Sequence, residues 1–126
     1  MKIEVPNADV VDRITILELK LARLTGPSYA HSAREHEGLC AAWAQQSTLP
    51  LSQVPQLDAL RAVNRSLWDV EDALRRCEQR SDFGDEFVRL ARSVYVLNDE
   101  RARLKREINL ATDSVLMEQK SYAPMI

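Results

Sequence analysis

The stretch SDFGDEFVRLARSVYVLNDERARLKREIN, residues 81–109, decides the fold of this chain. It opens with a short turn and continues with apolar residues at helical spacing: Phe87, Leu90, Ala91, Val94, Leu97, Leu104 and Ile108. The preceding residues, about 56–80, carry a second apolar stripe of the same period. Two long helices joined by a short turn favour an antiparallel hairpin. We therefore predict a long helical hairpin formed by residues 56–80 and 84–110.

Two shorter helices are predicted before the hairpin. The first runs from Asn7 to Leu24, and the second spans about residues 28–46. Prolines in residues 47–55 indicate a loop. The predicted fold class is thus all-α, a helical bundle in which the hairpin packs with two N-terminal helices. The length predicts a single domain, residues 1–126.

Composition narrows the classes of function. The chain is 45% hydrophobic and 29% charged, which is enough for one core. No apolar run approaches the roughly 18–20 residues of a bilayer span, and no secretory signal is visible, so we expect a cytoplasmic protein without a membrane span. The net charge of −2 gives no general attraction to nucleic acid. Cys40 and Cys77 are predicted to be reduced, and we predict no metal site and no cofactor.

Polar residues occur at positions where a packed helix would normally be apolar. At about 100° per residue, Asn98, Arg101 and Lys105 fall inside the apolar arc of the last helix. The preceding helix has a matching series at spacings of 4, 3 and 4 residues: Asn64, Trp68, Glu71 and Arg75. In an antiparallel hairpin the two series should form one seam.

Two explanations remain open for Arg101 and Lys105. Neither has a carboxylate three or four residues away on its own helix, so each needs an acid from another segment or an anionic ligand. Glu118 in the C-terminal segment could fold back as such an acid. The main candidate site residues are therefore the polar seam: Asn64, Trp68, Glu71, Asn98, Arg101 and Lys105.

The chain resembles a known family in five segments: residues 11–20, 63–72, 90–95, 98–109 and 120–122. The family is an uncharacterised domain of unknown function, found in small, mostly bacterial helical proteins. Its members often occur beside glycosyltransferases of cell-surface polysaccharide synthesis. The resemblance implies a fold and a link to that pathway, but no activity. It covers the polar seam and adds four weaker candidates: Asp12, Glu18, Lys120 and Tyr122. Glu118, the acid that could fold back, is a fifth weaker candidate.

Two functions follow as hypotheses. The first is a non-catalytic helical binding or adaptor protein with a glycosyltransferase as partner. It would be a homodimer through the first helix, because Ile16 and Leu19 point away from that helix's main stripe. The second is a small enzyme or sensor for an anionic metabolite such as a sugar phosphate or nucleotide sugar. Arg101 and Lys105 would bind the anion, Glu71 would act as acid or base, and the two asparagines of the seam would orient the ligand.

Overall fold

The computed structural model describes residues 1–116. Four helices follow one another: α1 (Asn7–Arg23), α2 (Gly26–Gln46), α3 (Leu57–Gln79) and α4 (Asp85–Ala111). A short 3-10 helix, Leu51–Gln53, lies between α2 and α3. The described residues contain no strand, and the helices pack as a bundle, so the predicted fold class is confirmed.

The antiparallel hairpin of α3 and α4 is the frame of the molecule, as predicted. The turn between these helices uses Ser81, whose φ of 53° lies in the left-handed region. The Asp82 carboxylate accepts a hydrogen bond of 3.2 Å from the Gly84 N–H and so supports the start of α4. Phe83 and Phe87 then pack edge to face, with ring centroids 5.3 Å apart.

Helix α1 packs against all three other helices. Its first residues lie beside the end of α4, because the Ala8 N–H meets the side chain of Asn109. Its last residue, Arg23, lies 3.4 Å from Asp69 and 5.2 Å above the ring of Trp68. Helix α1 therefore runs parallel to α3 and antiparallel to α4, and it ends about halfway along the hairpin.

Helix α2 packs on α1. The second apolar side of α1, with Ile16 and Leu19, is half-buried. The apolar side that the sequence assigned to a second subunit is therefore covered in part within the chain, and a dimer through α1 stays a prediction.

The core lies at the end of the bundle where α1 begins, α3 begins and α4 ends. Its buried members are Ala8, Val11, Trp43, Val54, Leu57, Leu60, Val63, Leu104 and Ile108. The loop after α2 is fixed there, because the Trp43 indole N–H donates to the Leu49 carbonyl at 2.9 Å. This core leaves the other half of the hairpin with only two helices.

That other half, residues 70–95, is called the distal hairpin below. Between Asn64 and Cys77, α3 buries no residue fully. Large apolar side chains are exposed on the distal hairpin: Phe83 is 53% exposed, Val88 50% and Tyr95 65%. No helix within residues 1–116 has the length and apolar character needed to cross a membrane.

Candidate functional site: a buried polar cluster

The most polar buried site lies where α1, α3 and α4 meet, and Asp12 is at its centre. Asp12 is 5% exposed, and its carboxylate receives two hydrogen bonds from the Arg101 guanidinium. Arg101 Nε donates to Asp12 Oδ1 at 3.0 Å, and Nη2 donates to Oδ2. Such a bidentate pair fixes both side chains in orientation as well as in distance.

Asn64 completes this group from α3. Its Nδ2 donates to Asp12 Oδ1 at 2.9 Å and to Thr15 Oγ1 at 2.8 Å. The Thr15 hydroxyl in turn donates to the Asp12 carbonyl at 2.7 Å. These four residues, Asp12, Thr15, Asn64 and Arg101, are called the polar cluster below. One side chain from each helix of the hairpin thus binds the same face of α1.

The face of α4 that carries Arg101 continues this pattern toward its C-terminus. Lys105 Nζ lies 3.0 Å from Asp9 Oδ1, and Asn109 Oδ1 accepts the buried Ala8 N–H at 2.8 Å. The spacing of four residues on α4 brings each of these groups to α1, because residues four apart share one helix face. Asn109 thereby satisfies one of the amide groups that the first turn of α1 leaves without an intrahelical acceptor.

Helix α1 therefore supplies acids for both cations that the sequence singled out. Asp12 binds Arg101 and Asp9 binds Lys105, so the charges of this site largely neutralise each other. Of the two explanations that the sequence left open, the described residues support the first, since acids of α1 lie against both cations, and a ligand at this site stays a prediction.

A comparison with known families bears on the whole chain. The model of a family of unknown function, DUF6165, matches residues 1–126. The chain belongs to this family. No curated protein and no solved structure gives a significant match. Because the DUF6165 description names no activity, the chemistry of the site must be argued from its geometry.

The other predicted site residues of this DUF6165 chain are placed differently. Glu18 accepts two hydrogen bonds of 3.0 Å from Arg61, outside the polar cluster. The pKa of Arg61 is raised, chiefly by that hydrogen-bonded carboxylate. Trp68 is half-buried under Arg23. Glu118, Lys120 and Tyr122 lie outside the described residues.

Two residues of the predicted polar seam, Glu71 and Asn98, are exposed, whereas Asn64 is buried and Arg101 is half-buried. The reason is the length of α1. Its last residue, Arg23, lies beside Trp68 and Asp69, so Glu71 projects beyond the helix that covers Asn64. The spacing along α3 is regular, but its partner helix ends too early to bury the whole series.

The polar seam predicted from the sequence lacks three residues that contribute to the site: Asp9, Thr15 and Asn109. A signal existed for Asn109, which extends the spacing of Arg101 and Lys105 by one further turn. Asp9 has no comparable signal in the sequence. Its role depends on the direction in which α1 packs, which the sequence does not reveal.

A thiol and an imidazole lie close together on α2 of this family member. Cys40 Sγ lies 3.7 Å from His36 Nε2 on the same face of α2. Burial, with a smaller contribution from Glu18, raises the pKa of the Cys40 thiol, which opposes a nucleophilic role. Within residues 1–116, no group of three or more His, Cys, Asp or Glu side chains could hold a metal ion.

A surface groove of about 620 Å³ lies away from the polar cluster, beside the 3-10 helix and the first turns of α3. Arg61 lies at one side of it and is bound there by Asp58 at 3.0 Å as well as by Glu18. Its one cation is thus already paired with acids of the chain.

Proposed function

We propose that this chain is a non-catalytic helical binding protein, an adaptor that acts by contact with another polypeptide through the distal hairpin. The observation that carries the proposal is the exposure of Phe83, Val88 and Tyr95 on that half of the molecule. Exposed apolar groups that lie together on one surface are typical of protein interaction sites. Aromatic side chains are also enriched where partners bind.

The polar cluster supports this proposal in a different way. Its role is to attach α1 to the hairpin, since Asp12 holds Arg101 and Asn64 together. Both Arg101 and Lys105 already bind carboxylates of α1, so an anionic metabolite would meet a site whose positive charge is largely offset. A sugar phosphate or nucleotide sugar is therefore the less favoured ligand.

The proposal also includes the pathway in which the protein acts, cell-surface polysaccharide synthesis. The resemblance of the sequence to proteins found beside glycosyltransferases favours a role in cell-surface polysaccharide synthesis. On this hypothesis a glycosyltransferase is among the polypeptides that work with this protein in the cytoplasm.

Site-specific photo-crosslinking tests the binding surface. A photoreactive residue at position 95 should give a discrete covalent adduct with a polypeptide in the cell of origin. The same residue at position 96 is the matched control, because Tyr95 and Val96 are similarly exposed, at 65% and 60%, but point about 100° apart around α4. Equal crosslinking at both positions, or none at position 95, would contradict the proposal.

A thermal-shift screen tests the less favoured function. Sugar phosphates and nucleotide sugars should leave the melting temperature of the protein unchanged. A melting temperature that rises with the concentration of one such compound would favour the metabolite site instead, since a ligand that binds only the folded state stabilises it by mass action.

A further inference from the structure

One face of the distal hairpin continues the surface on which α1 packs. On α3, Glu71 and Arg75 follow Asn64 and Trp68 at spacings of 3 or 4 residues. They therefore lie on the same side of α3 that α1 covers near Asn64. On α4, that side continues from Lys105 and Arg101 toward the turn as an apolar strip. The strip consists of Phe87, Val88, Ala91, Val94 and Tyr95.

This face lies past the end of α1. Arg23, the last residue of α1, contacts Trp68 and Asp69, whereas Glu71 and Arg75 are exposed. Tyr95 and Val88 remain half or more exposed. A further helix laid on this face would occupy, on the distal hairpin, the position that α1 occupies on the other half.

The strip on α4 is complementary to a second copy of itself that is related to it by a two-fold rotation. Ala91 lies four residues after Phe87 and four residues before Tyr95. If two copies of α4 cross antiparallel at Ala91, Phe87 of each copy faces Tyr95 of the other, and Val88 faces Val94. A small residue at the crossing point permits the close approach that helix packing requires.

The charges beside the strip match the same symmetry. In the hairpin, the level of Ala91 falls between Glu71 and Arg75, which are one helical turn apart on α3. A two-fold axis at Ala91 therefore places Glu71 of one copy near Arg75 of the other. Both the apolar and the charged groups are thus paired by one operation, which is the property of an isologous dimer interface.

We propose that the distal hairpin binds a second copy of this chain, by antiparallel packing of the two α4 helices about Ala91. This inference rests on the proposed function, because it names the polypeptide that occupies the same surface. The dimer interface is accordingly on α4 and α3, and not on α1.

Sedimentation of the full chain tests the inference. At micromolar concentration the protein should sediment with twice the monomer mass of 14.4 kDa. Tyr95→Glu should raise the dissociation constant of the dimer roughly tenfold or more, because it places a charge in the apolar centre of the interface. Val96→Glu, the matched control on the other side of α4, should leave the dissociation constant unchanged.

A charge exchange tests the proposed symmetry. Glu71→Arg and Arg75→Glu should each weaken the dimer by about two- to fivefold, since each creates a like-charge contact at the rim. The double variant restores opposite charges and should recover the original dissociation constant. Circular dichroism of each variant shows whether the helices are retained, so a misfolded variant is recognised and set aside in favour of the others.

The results separate the two proposals. A monomer whose position 95 still crosslinks to a different protein would overturn the dimer and leave the binding function standing. A monomer with no adduct at position 95 would overturn both. A dimer that is equally weakened by Tyr95→Glu and Val96→Glu, or that the double charge exchange does not restore, would overturn the α4 interface.

Discussion

Removal of either partner of the Asp12–Arg101 ion pair should destabilise the fold, and the loss in the free energy of unfolding should differ between the two removals. The Asp12 side chain is 7% exposed, whereas that of Arg101 is 30% exposed. In Arg101→Ala, a buried carboxylate keeps the amide of Asn64 as a hydrogen-bond donor but loses its cation. In Asp12→Ala, the guanidinium that remains still reaches water, and Asn64 keeps its bond to Thr15.

The expected magnitudes follow from this asymmetry. Breaking a buried ion pair by removing one partner costs roughly 3–5 kcal/mol. We expect a loss of about 4 kcal/mol for Arg101→Ala and about 3 kcal/mol for Asp12→Ala, within that range. Because the second removal finds the pair already broken, the double variant should lose about 2 kcal/mol less than the two single losses together.

Urea unfolding followed by circular dichroism measures these losses as changes in the free energy of unfolding. Arg65→Ala, an exposed change on α3, is the control and should shift that energy by less than about 0.5 kcal/mol. If the double variant is unfolded without urea, the same cycle with Asp12→Asn and Arg101→Gln replaces it. Additive losses, or a larger loss for Asp12→Ala than for Arg101→Ala, would refute the assignment of this pair as the attachment of α1.

Three further predictions concern the rest of the described chain. Asn109→Ala should reduce the free energy of unfolding in urea by about 1–3 kcal/mol, because the buried Ala8 N–H loses its acceptor; an unchanged unfolding midpoint would contradict this contact. Gly26→Ala should destabilise the fold by about 1–2 kcal/mol, since Gly26 has a φ of 64°. Gly38→Ala inside α2, where an added Cβ would meet no atom within 4 Å, should stabilise the fold by about 0.5–1 kcal/mol, and thermal melts that move both variants in one direction would be inconsistent with these conformations. The raised pKa of Cys40 should keep its thiol protonated at pH values where a free cysteine ionises, so alkylation monitored by peptide mass spectrometry should begin at a higher pH than in the urea-unfolded chain. The contribution of this pKa shift to the free energy of unfolding is complete below the unfolded pKa and falls as the pH rises through the folded pKa. Identical pH profiles of alkylation in both states would count against the shift.

The hairpin could be predicted from the sequence because its signals are local. Periodic apolar residues define each helix, and the short stretch at residues 81–84 leaves room only for a tight reversal. The place of α1 could not be predicted in the same way. An apolar stripe shows that a helix is buried on one side, but not which neighbours cover it or in which direction it runs.

The candidate site shows the same limit. The sequence showed that Arg101 and Lys105 require negative charge, yet Asp12 lies 89 positions away from Arg101 and no local pattern connects them. Glu71 continues the spacing of Asn64 and Trp68 along α3 but is exposed. Whether such a series is buried depends on where the covering helix ends, which is a tertiary property.

The attachment of α1 also sets an order in which the molecule can assemble. Ala8 and Asn109 are 101 positions apart, so their contact closes a loop that spans most of the chain. Closing so long a loop carries a large entropic cost, whereas α3 and α4 are neighbours in sequence and meet early. During synthesis, α1 leaves the ribosome before α4 does and so meets this acceptor only after α4 has been made. The carboxylates of Asp9 and Asp12 cannot bind Lys105 and Arg101 until that part of α4 exists, so docking of α1 on α4 follows the formation of the hairpin.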